Sequence, residues 1–326
     1  MTNAIRISRT GGPEVMEWGP VEVGTPGAGE VLLAQHAVGL NYIDVYHRTG
    51  MYPLPLPFVP GLEGAGVVEA VGPGVDGVAV GDRVAYCGPL GGYAERRLIA
   101  AERLVALPDG ISFEVAAAAM LKGLTAHMLL CQVRRVEAGD MILVHAAAGG
   151  VGLLLCQWAA ALGATVIGTV STHEKAELAA ANGCHHPIVT SEADFVAEVA
   201  QLSGGAKLPV VYDSVGRDTF MRSMDCLAKR GMLVSFGQSS GGVEPFAPGA
   251  LAAKGSLFLT RPTLFDYIAK REEYSQSAAA LFAMIESGKV KVKIGQRYKL
   301  ADAATAHRDL EARRTTGSTV LTVEAR

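Results

Sequence analysis

Apolar residues change their spacing near residue 110. Before it, apolar and polar positions alternate in short runs. The clearest is 30–38, with Val31, Leu33 and Gln35 on one face and Leu32, Ala34 and His36 on the other. This spacing predicts strands over 4–8, 16–23, 30–38, 91–99 and 104–107, parted by turns such as Pro26-Gly27-Ala28-Gly29. The glycine-rich run 61–88 contains Gly64-Ala65-Gly66, but Glu69 stands where a nucleotide loop needs its third glycine and no helical pattern follows. It reads as strands with glycine bulges. Residues 39–61, GLNYIDVYHRTGMYPLPLPFVPG, predict a short helix over 42–47. A loop stiffened by Pro53, Pro55, Pro57 and Pro60 follows it. Stiff loops carrying polar aromatics are good places for a binding site.

From Ser112 the pattern turns helical, with Ser112 at the start and Glu114 in the first turn, where the helix dipole favours it. Gly123 is expected to mark a handover between two helices, and a domain boundary is placed there. From 141 to about 264, strands (142–146, 165–170, 187–189, 210–213, 232–236, 257–260) alternate with helices (152–162, 174–182, 193–202, 218–227). Six strands with helices between them predict an α/β fold with a doubly wound parallel sheet, the six-stranded Rossmann arrangement. A long amphipathic helix over 267–287 follows, then a helix over 301–313 and a strand over 319–323. These are too few for a domain and are expected to return to the first one. The domains are therefore 1–124 with 266–326, β-rich, and 125–265, dinucleotide-binding.

The stretch 141–171, MILVHAAAGGVGLLLCQWAAALGATVIGTVS, is the βαβ unit around which the second domain is built. Its turn is Ala147-Ala148-Gly149-Gly150-Val151-Gly152. Gly149 lets phosphates approach the backbone, Gly152 lets helix and strand pack closely, and free N–H groups at the helix start face the anion. Ala147 stands where G-x-G-x-x-G has its first glycine, so the strand–turn–helix context carries the motif more than the string does. No Asp, Glu, Lys or Arg occurs in 141–172, yet Gly149, Gly150, Gly152, Gly163 and Gly168 argue against a membrane helix.

Composition narrows the classes. The chain has 326 residues, 49% hydrophobic and 19% charged, with net charge −3. It carries no basic stripe for nucleic acid, and its first residues lack the apolar core of a signal peptide. Cys87, Cys131, Cys156, Cys184 and Cys226 are isolated and odd in number, which fits reduced thiols and a cytoplasmic location.

The tip of the second strand in the βαβ unit selects the cofactor. NAD-binding folds place a carboxylate there for the ribose. Here the corner reads Gly168-Thr169-Val170-Ser171-Thr172-His173-Glu174-Lys175. Small hydroxyls, Thr172 among them, and Lys175 suit the 2′-phosphate of NADP. Glu174 is the one residue that would serve NAD instead.

In these motifs the chain resembles the medium-chain dehydrogenase/reductase superfamily over its whole length. It is most similar to the zinc-independent, zeta-crystallin-like quinone oxidoreductases. The residues carrying this are 39–53, 60–75, 81–86 (GDRVAY), 121–130 (LKGLTAHMLL), 145–159, 210–220 (VVYDSVGRDTF) and 233–241 (LVSFGQSSG). The resemblance implies that the β-rich domain is GroES-like and catalytic, and that the reaction is a metal-free hydride transfer from nicotinamide C4 of NADPH to a quinone in an interdomain cleft. The superfamily's alcohol dehydrogenases supply a Cys and then Gly-His-Glu to zinc; here Asn41 holds the Cys position and Leu62 the His position. Without a Lewis acid, reduction of an already electrophilic quinone is the easier chemistry. Stray histidines do not rebuild the site, and His185-His186 reads as a surface turn.

The resemblance places Asn41, Tyr46 and Tyr52 against the substrate. Asn41 is placed to bond a quinone oxygen or a ribose hydroxyl, and Tyr46 and Tyr52 to stack on the ring. Lys122 and Thr125 resemble the ribose and nicotinamide contacts, Gly149, Gly150 and Val151 the pyrophosphate contacts, and Lys175 with Arg313 the 2′-phosphate contacts. Phe236, Gly237, Gln238, Ser239 and Ser240 follow the fifth strand at the carboxyl edge. Close relatives stack a Tyr after the third strand, where this chain has Val189-Thr190-Ser191. Family members pair through the edge strand, here 255–260, so a homodimer is expected, with no membrane span and no nucleic-acid partner. Two other readings share the pattern: an NADPH-dependent enoyl or enone reductase with the same cleft, and a non-catalytic crystallin-like or RNA-binding protein.

Overall fold

The computed structural model describes residues 2–324 and contains two compact units. The first holds residues up to Leu124, Lys270–Glu286 and those from Val292 onward; the second holds Thr125–Ala269 and Ser287–Lys291.

Alternating runs in the first unit close a seven-stranded mixed sheet. Its order is Ile294–Lys299, Ser318–Thr322, Glu30–Leu40, Glu63–Val71, Arg83–Cys87 and Leu104–Ala106, and Arg96–Ala100 also pairs with Glu30–Leu40. Val31, Leu33, Val68, Val84, Tyr86, Ile99 and Leu104 form one core beneath it. Gln35 shares the inward face and is satisfied there, donating to Gly92 O at 2.7 Å and Ala94 O at 2.6 Å. Gly66 permits the close strand approach: a Cβ there would lie 2.0 Å from Ala34 O. The run 294–299 gives no strand pattern in sequence because it is an outer strand, half-exposed at alternate positions. It pairs in parallel with Ser318–Thr322, which itself runs antiparallel to Glu30–Leu40.

Gly123 is not a helix junction. The α-helix Phe113–His127 runs through it, and a wider π-type turn takes over at Met128–Val133. Gly123 instead makes room for Leu281, whose Cδ1 would lie 2.4 Å from an added Cβ. The run Phe113–Val133 is long and apolar enough to cross a membrane, but 78% of its apolar window is buried in the structure, the pattern of a core helix.

The second unit is a six-stranded, wholly parallel sheet in the order His186–Val189, Thr165–Val170, Met141–Val144, Leu208–Asp213, Leu227–Ser235, Phe258–Thr260. Strand order reverses between Met141–Val144 and Leu208–Asp213, the switch point where such sheets bind ligands at their carboxyl ends. The helical pattern over 218–227 shortens to Phe220–Ser223 and a 3₁₀ turn, Met224–Cys226. The one over 267–287 breaks into Leu264–Tyr267 and Arg271–Glu286.

Candidate active site

In the first unit, Asn41 ends the strand Glu30–Leu40 and caps the helix Tyr42–Thr49, forming a capping box with Asp44. Its Nδ2 donates to Glu63 Oε1 at 2.6 Å. Lys122 Nζ donates to the same oxygen at 2.9 Å, and Leu121 N donates to Oε2 at 2.6 Å. The Glu63 side chain is 0% exposed and that of Lys122 6%, so this is a buried ion pair. Gly39 is required beside it: a Cβ there would lie 2.1 Å from Glu63 Oε1. Asn41 and Lys122 are thus brought together by a residue that motif reading passed over. The signal was present, since Glu63 completes the Gly-Leu-Glu in which Leu62 replaces histidine.

Tyr46 and Tyr52 also meet. Their ring centroids lie 5.1 Å apart at 61°, and Tyr42 packs 5.5 Å from Tyr46 on the other side. Tyr52 N donates to Tyr46 O, which folds the proline-rich loop back onto the helix. Arg313 lies past the helix Ala303–Glu311 at φ 59°, a left-handed conformation that a side-chain-bearing residue adopts at a cost. Beneath the helix Tyr42–Thr49, a buried chain links Asp44, Tyr93, His307, Arg48 and Glu311.

In the second unit, the residues expected to meet the cofactor follow the carboxyl ends of the parallel strands, apart from Thr125, which lies on the helix Phe113–His127. Gly149 is the N-cap of the helix Gly150–Ala161, whose first turn is capped by no side chain. Gly150 and Val151 therefore open the helix, and an uncapped start of this kind suits an anion. A Cβ on Gly152 would lie 2.3 Å from Ala146 O, so helix and turn meet there only through glycine. The departure at Ala147 is compensated by Gly168 in the next strand, where a Cβ would strike Ala147 Cβ at 2.6 Å. Thr172 caps the helix His173–Ala180 and accepts from Lys175 N at 3.3 Å, which sets Lys175 in a first turn beside the strand tip. Thr190 N donates to Val170 O at 2.9 Å, and its hydroxyl donates to the same carbonyl at 3.2 Å.

Phe236, Gln238 and Ser239 follow the strand Leu227–Ser235 in a laced loop. Ser239 N donates to Ser214 O, Ser240 Oγ to Val215 O, and Arg261 to the carbonyls of Ser235 and Gly237. His145, a histidine without a role in the motif reading, bonds Thr169 and Ser223 through its two nitrogens. Ser223 in turn donates to Asp213 Oδ2. Burial pushes the His145 pKa down, so a neutral ring ties three strand ends together. Thr125 is buried one helical turn from Lys122. His185 is no ligand: its Nδ1 accepts from Val166 N at 3.0 Å.

Known proteins share this sequence and fold along the whole chain. Residues 27–109 match the alcohol dehydrogenase GroES-like domain, and residues 150–283 the zinc-binding dehydrogenase family. The quinone oxidoreductase of Pseudomonas aeruginosa is 53% identical over 98% of this chain and 99% of its own. The 2-haloacrylate reductase of Burkholderia sp. is 45% identical over the full length of both. The crystal structure of Escherichia coli quinone oxidoreductase complexed with NADPH superposes with a TM-score of 0.97 at 47% identity, covering 99% of this chain and 100% of that one. The fold is that of the medium-chain dehydrogenases/reductases, and within that superfamily the chain belongs to the quinone oxidoreductases.

The zinc named by one matched family does not fit this site. Asn41 and Leu62 offer no metal-binding donor pair, and both Glu63 oxygens already accept from Asn41, Lys122 and Leu121. Among the described residues no three His, Cys, Asp or Glu side chains gather as a ligand set.

Proposed function

We propose that this protein is a zinc-independent, NADPH-dependent quinone reductase. The observation that carries the reading is the Asn41–Glu63–Lys122 cluster, in which a buried ammonium is paired where a metal would need ligands. Bound NADPH supplies a hydride from its C4. The chain supplies position. Backbone N–H groups of Gly149, Gly150 and Val151 hold the pyrophosphate; Thr172, Lys175 and Arg313 hold the 2′-phosphate; Phe236, Gln238 and Ser239 border the dinucleotide. Lys122 and Thr125 hold the ribose and nicotinamide end, and Asn41, Tyr46 and Tyr52 hold the quinone. The β-rich unit is the catalytic one and the parallel-sheet unit the NADPH-binding one.

The test is oxidation of NADPH or NADH by 1,4-benzoquinone, with and without a chelator. Fast, chelator-insensitive oxidation of NADPH and slow oxidation of NADH is the expected result; faster oxidation of NADH shifts the ribose contact to Glu174. Enone reduction is the second reading, favoured by the full-length relative named for 2-haloacrylate. An alkenal that outpaces both benzoquinone and naphthoquinone would put it first.

Two substitutions test the phosphate contacts. Lys175→Ala is expected to raise the KM for NADPH about 10-fold or more, the loss of one charge-assisted bond, and to leave that for NADH unchanged. Arg313→Gly and Arg313→Ala should weaken NADPH alike. Gly also relieves the left-handed backbone, so its unfolding free energy should exceed that of the Ala variant by about 1 kcal/mol.

Among the described residues the strand Phe258–Thr260 pairs on one side only, with Leu227–Ser235, and it exposes Phe258 at 57% and Leu259 at 36%. An apolar edge of this kind supports a homodimer through that strand. Phe258→Lys is expected to give a monomer in sedimentation analysis, with the fold retained by circular dichroism. The five free cysteines suit a reducing, cytoplasmic setting. The net charge of −3 disfavours nucleic acid as a partner.

A further inference from the structure

Two buried polar atoms on the site helix have no hydrogen-bond partner among the described residues: Asp44 Oδ1 and His47 Nδ1. Asp44 is 0% exposed and His47 8%. The residues are three apart on Tyr42–Thr49, so they share a face with Cβ atoms about 5–6 Å apart. A helical side chain leans back over the preceding turn, which is the direction in which Asp44 lies from His47. A buried polar atom left unsatisfied costs about 1–3 kcal/mol unless a water or ligand meets it. One water between two such atoms would satisfy both.

The other Asp44 oxygen is closed. Oδ2 accepts from Asn41 N at 2.9 Å and from Tyr93 OH at 3.0 Å. Tyr93 O lies 3.2 Å from His307 Nε2, and His307 Nδ1 lies 3.1 Å from Arg48 Nη1. Guanidinium only donates, so His307 Nδ1 accepts and its hydrogen sits on Nε2. Tyr93 takes that bond and spends its own hydrogen on Asp44. Every donor along this path points at Oδ2, and the path cannot reverse unless Arg48 gives up a proton. Proton exchange at Asp44 is therefore confined to Oδ1. His47 in turn lies edge-on to Tyr52, with ring centroids 6.3 Å apart.

We propose that Asp44 and His47 bind one water between them and that this unit relays, through His47 and Tyr52, the proton that quinone reduction consumes. The inference rests on the quinone reading above. Hydride transfer leaves the quinone as its hydroquinone monoanion, two electrons reduced. The Tyr52 phenol protonates the remaining oxygen and regains its proton from His47. His47 is reloaded at Nδ1 by the water and the water by Asp44 Oδ1, and Asp44 recovers its proton at that same oxygen through the water as it exchanges with solvent. Titration supports the assignment. Burial pushes Asp44 up to about 7, against the lowering bonds from Asn41 N and Tyr93, with Glu63 raising it and Lys122 lowering it. Burial also holds His47 below its usual value, so the ring is neutral and able to exchange protons between its nitrogens.

The experiment is kcat at saturating NADPH and 1,4-naphthoquinone between about pH 5.5 and 9 for the wild type, Asp44→Asn and His47→Ala. In the wild type, kcat is expected to fall as pH rises through about 7, as the relay loses its proton. Both variants should lose that inflection and at least about 10-fold in kcat, with the KM for NADPH unchanged. Added imidazole should restore His47→Ala. Independently of turnover, infrared spectra of the cofactor-free wild type should show a protonated-carboxyl band that titrates near pH 7 and is missing from Asp44→Asn. Wild-type pH profiles in both variants, or no such band, overturn the relay while leaving the quinone reading in place. A wild type that oxidises no NADPH with any quinone removes both.

Discussion

Glu63→Gln is expected to cost about 3–5 kcal/mol of stability and most of the activity, the usual consequence of stranding one member of a buried ion pair. Three donors converge on this carboxylate: the Asn41 amide, the Lys122 ammonium and Leu121 N. A carboxylate accepts all three. An amide offers one oxygen, and its NH₂ group must face a donor whichever way it turns. Lys122, with a side chain 6% exposed, then lies buried without its counter-charge. The loss propagates to the site because Asn41 caps the helix that carries Tyr46. Urea unfolding measures the first effect, and kcat/KM with NADPH and benzoquinone the second. The double variant Glu63→Gln/Lys122→Met should regain most of the stability and little of the activity, since it removes the stranded charge together with its contact. A single variant within 1 kcal/mol of wild type would show that the pair does not organise this site.

What was legible in the sequence follows from the range of each interaction. The Gly149–Gly152 turn and the strand 165–170 could be read closely because steric demands within one βαβ unit fix both. Gly152 has no alternative when Ala146 O lies where its Cβ would be. The Ala147 departure was visible, but its compensation by Gly168 was not, since only the sheet brings the two together. Gly123 misled for the same reason: a glycine inside a helix suggests a break locally, while its cause is Leu281 far along the chain. The outer strand Ile294–Lys299 carries too little apolar contrast to announce itself. The polar groups under the site were the least legible. Asp44, Tyr93 and His307 are drawn from a helix, a turn and the tail, and no spacing rule links residues 44, 93 and 307.

That same trio yields a pH dependence of stability with two opposed slopes. Folding keeps a proton on Asp44 that the unfolded chain surrenders above its ordinary value of 3.8, because burial raises the folded value to about 7. Stability therefore falls by about 1.4 kcal/mol per pH unit over that window, about 4 kcal/mol in all. His307 does the reverse. Burial, aided by Arg48, lowers it from 6.5 to about 3, so the unfolded chain takes up a proton that the folded one refuses. Its stabilisation is complete above pH 6.5 and drains away on acidification, by about 5 kcal/mol in all. Between 3.8 and 6.5 the two slopes cancel, and the wild type should owe no pH dependence there to this pair. Asp44→Asn should then become steadily more stable from pH 4 to 6.5, and His307→Gln steadily less, the two diverging by several kcal/mol. Urea unfolding at about pH 4.5, 5.5 and 6.5 measures both lines. Parallel lines for the three proteins would mean that Asp44 is already ionised in the folded state, and with no stored proton there the relay to His47 would have nothing to deliver.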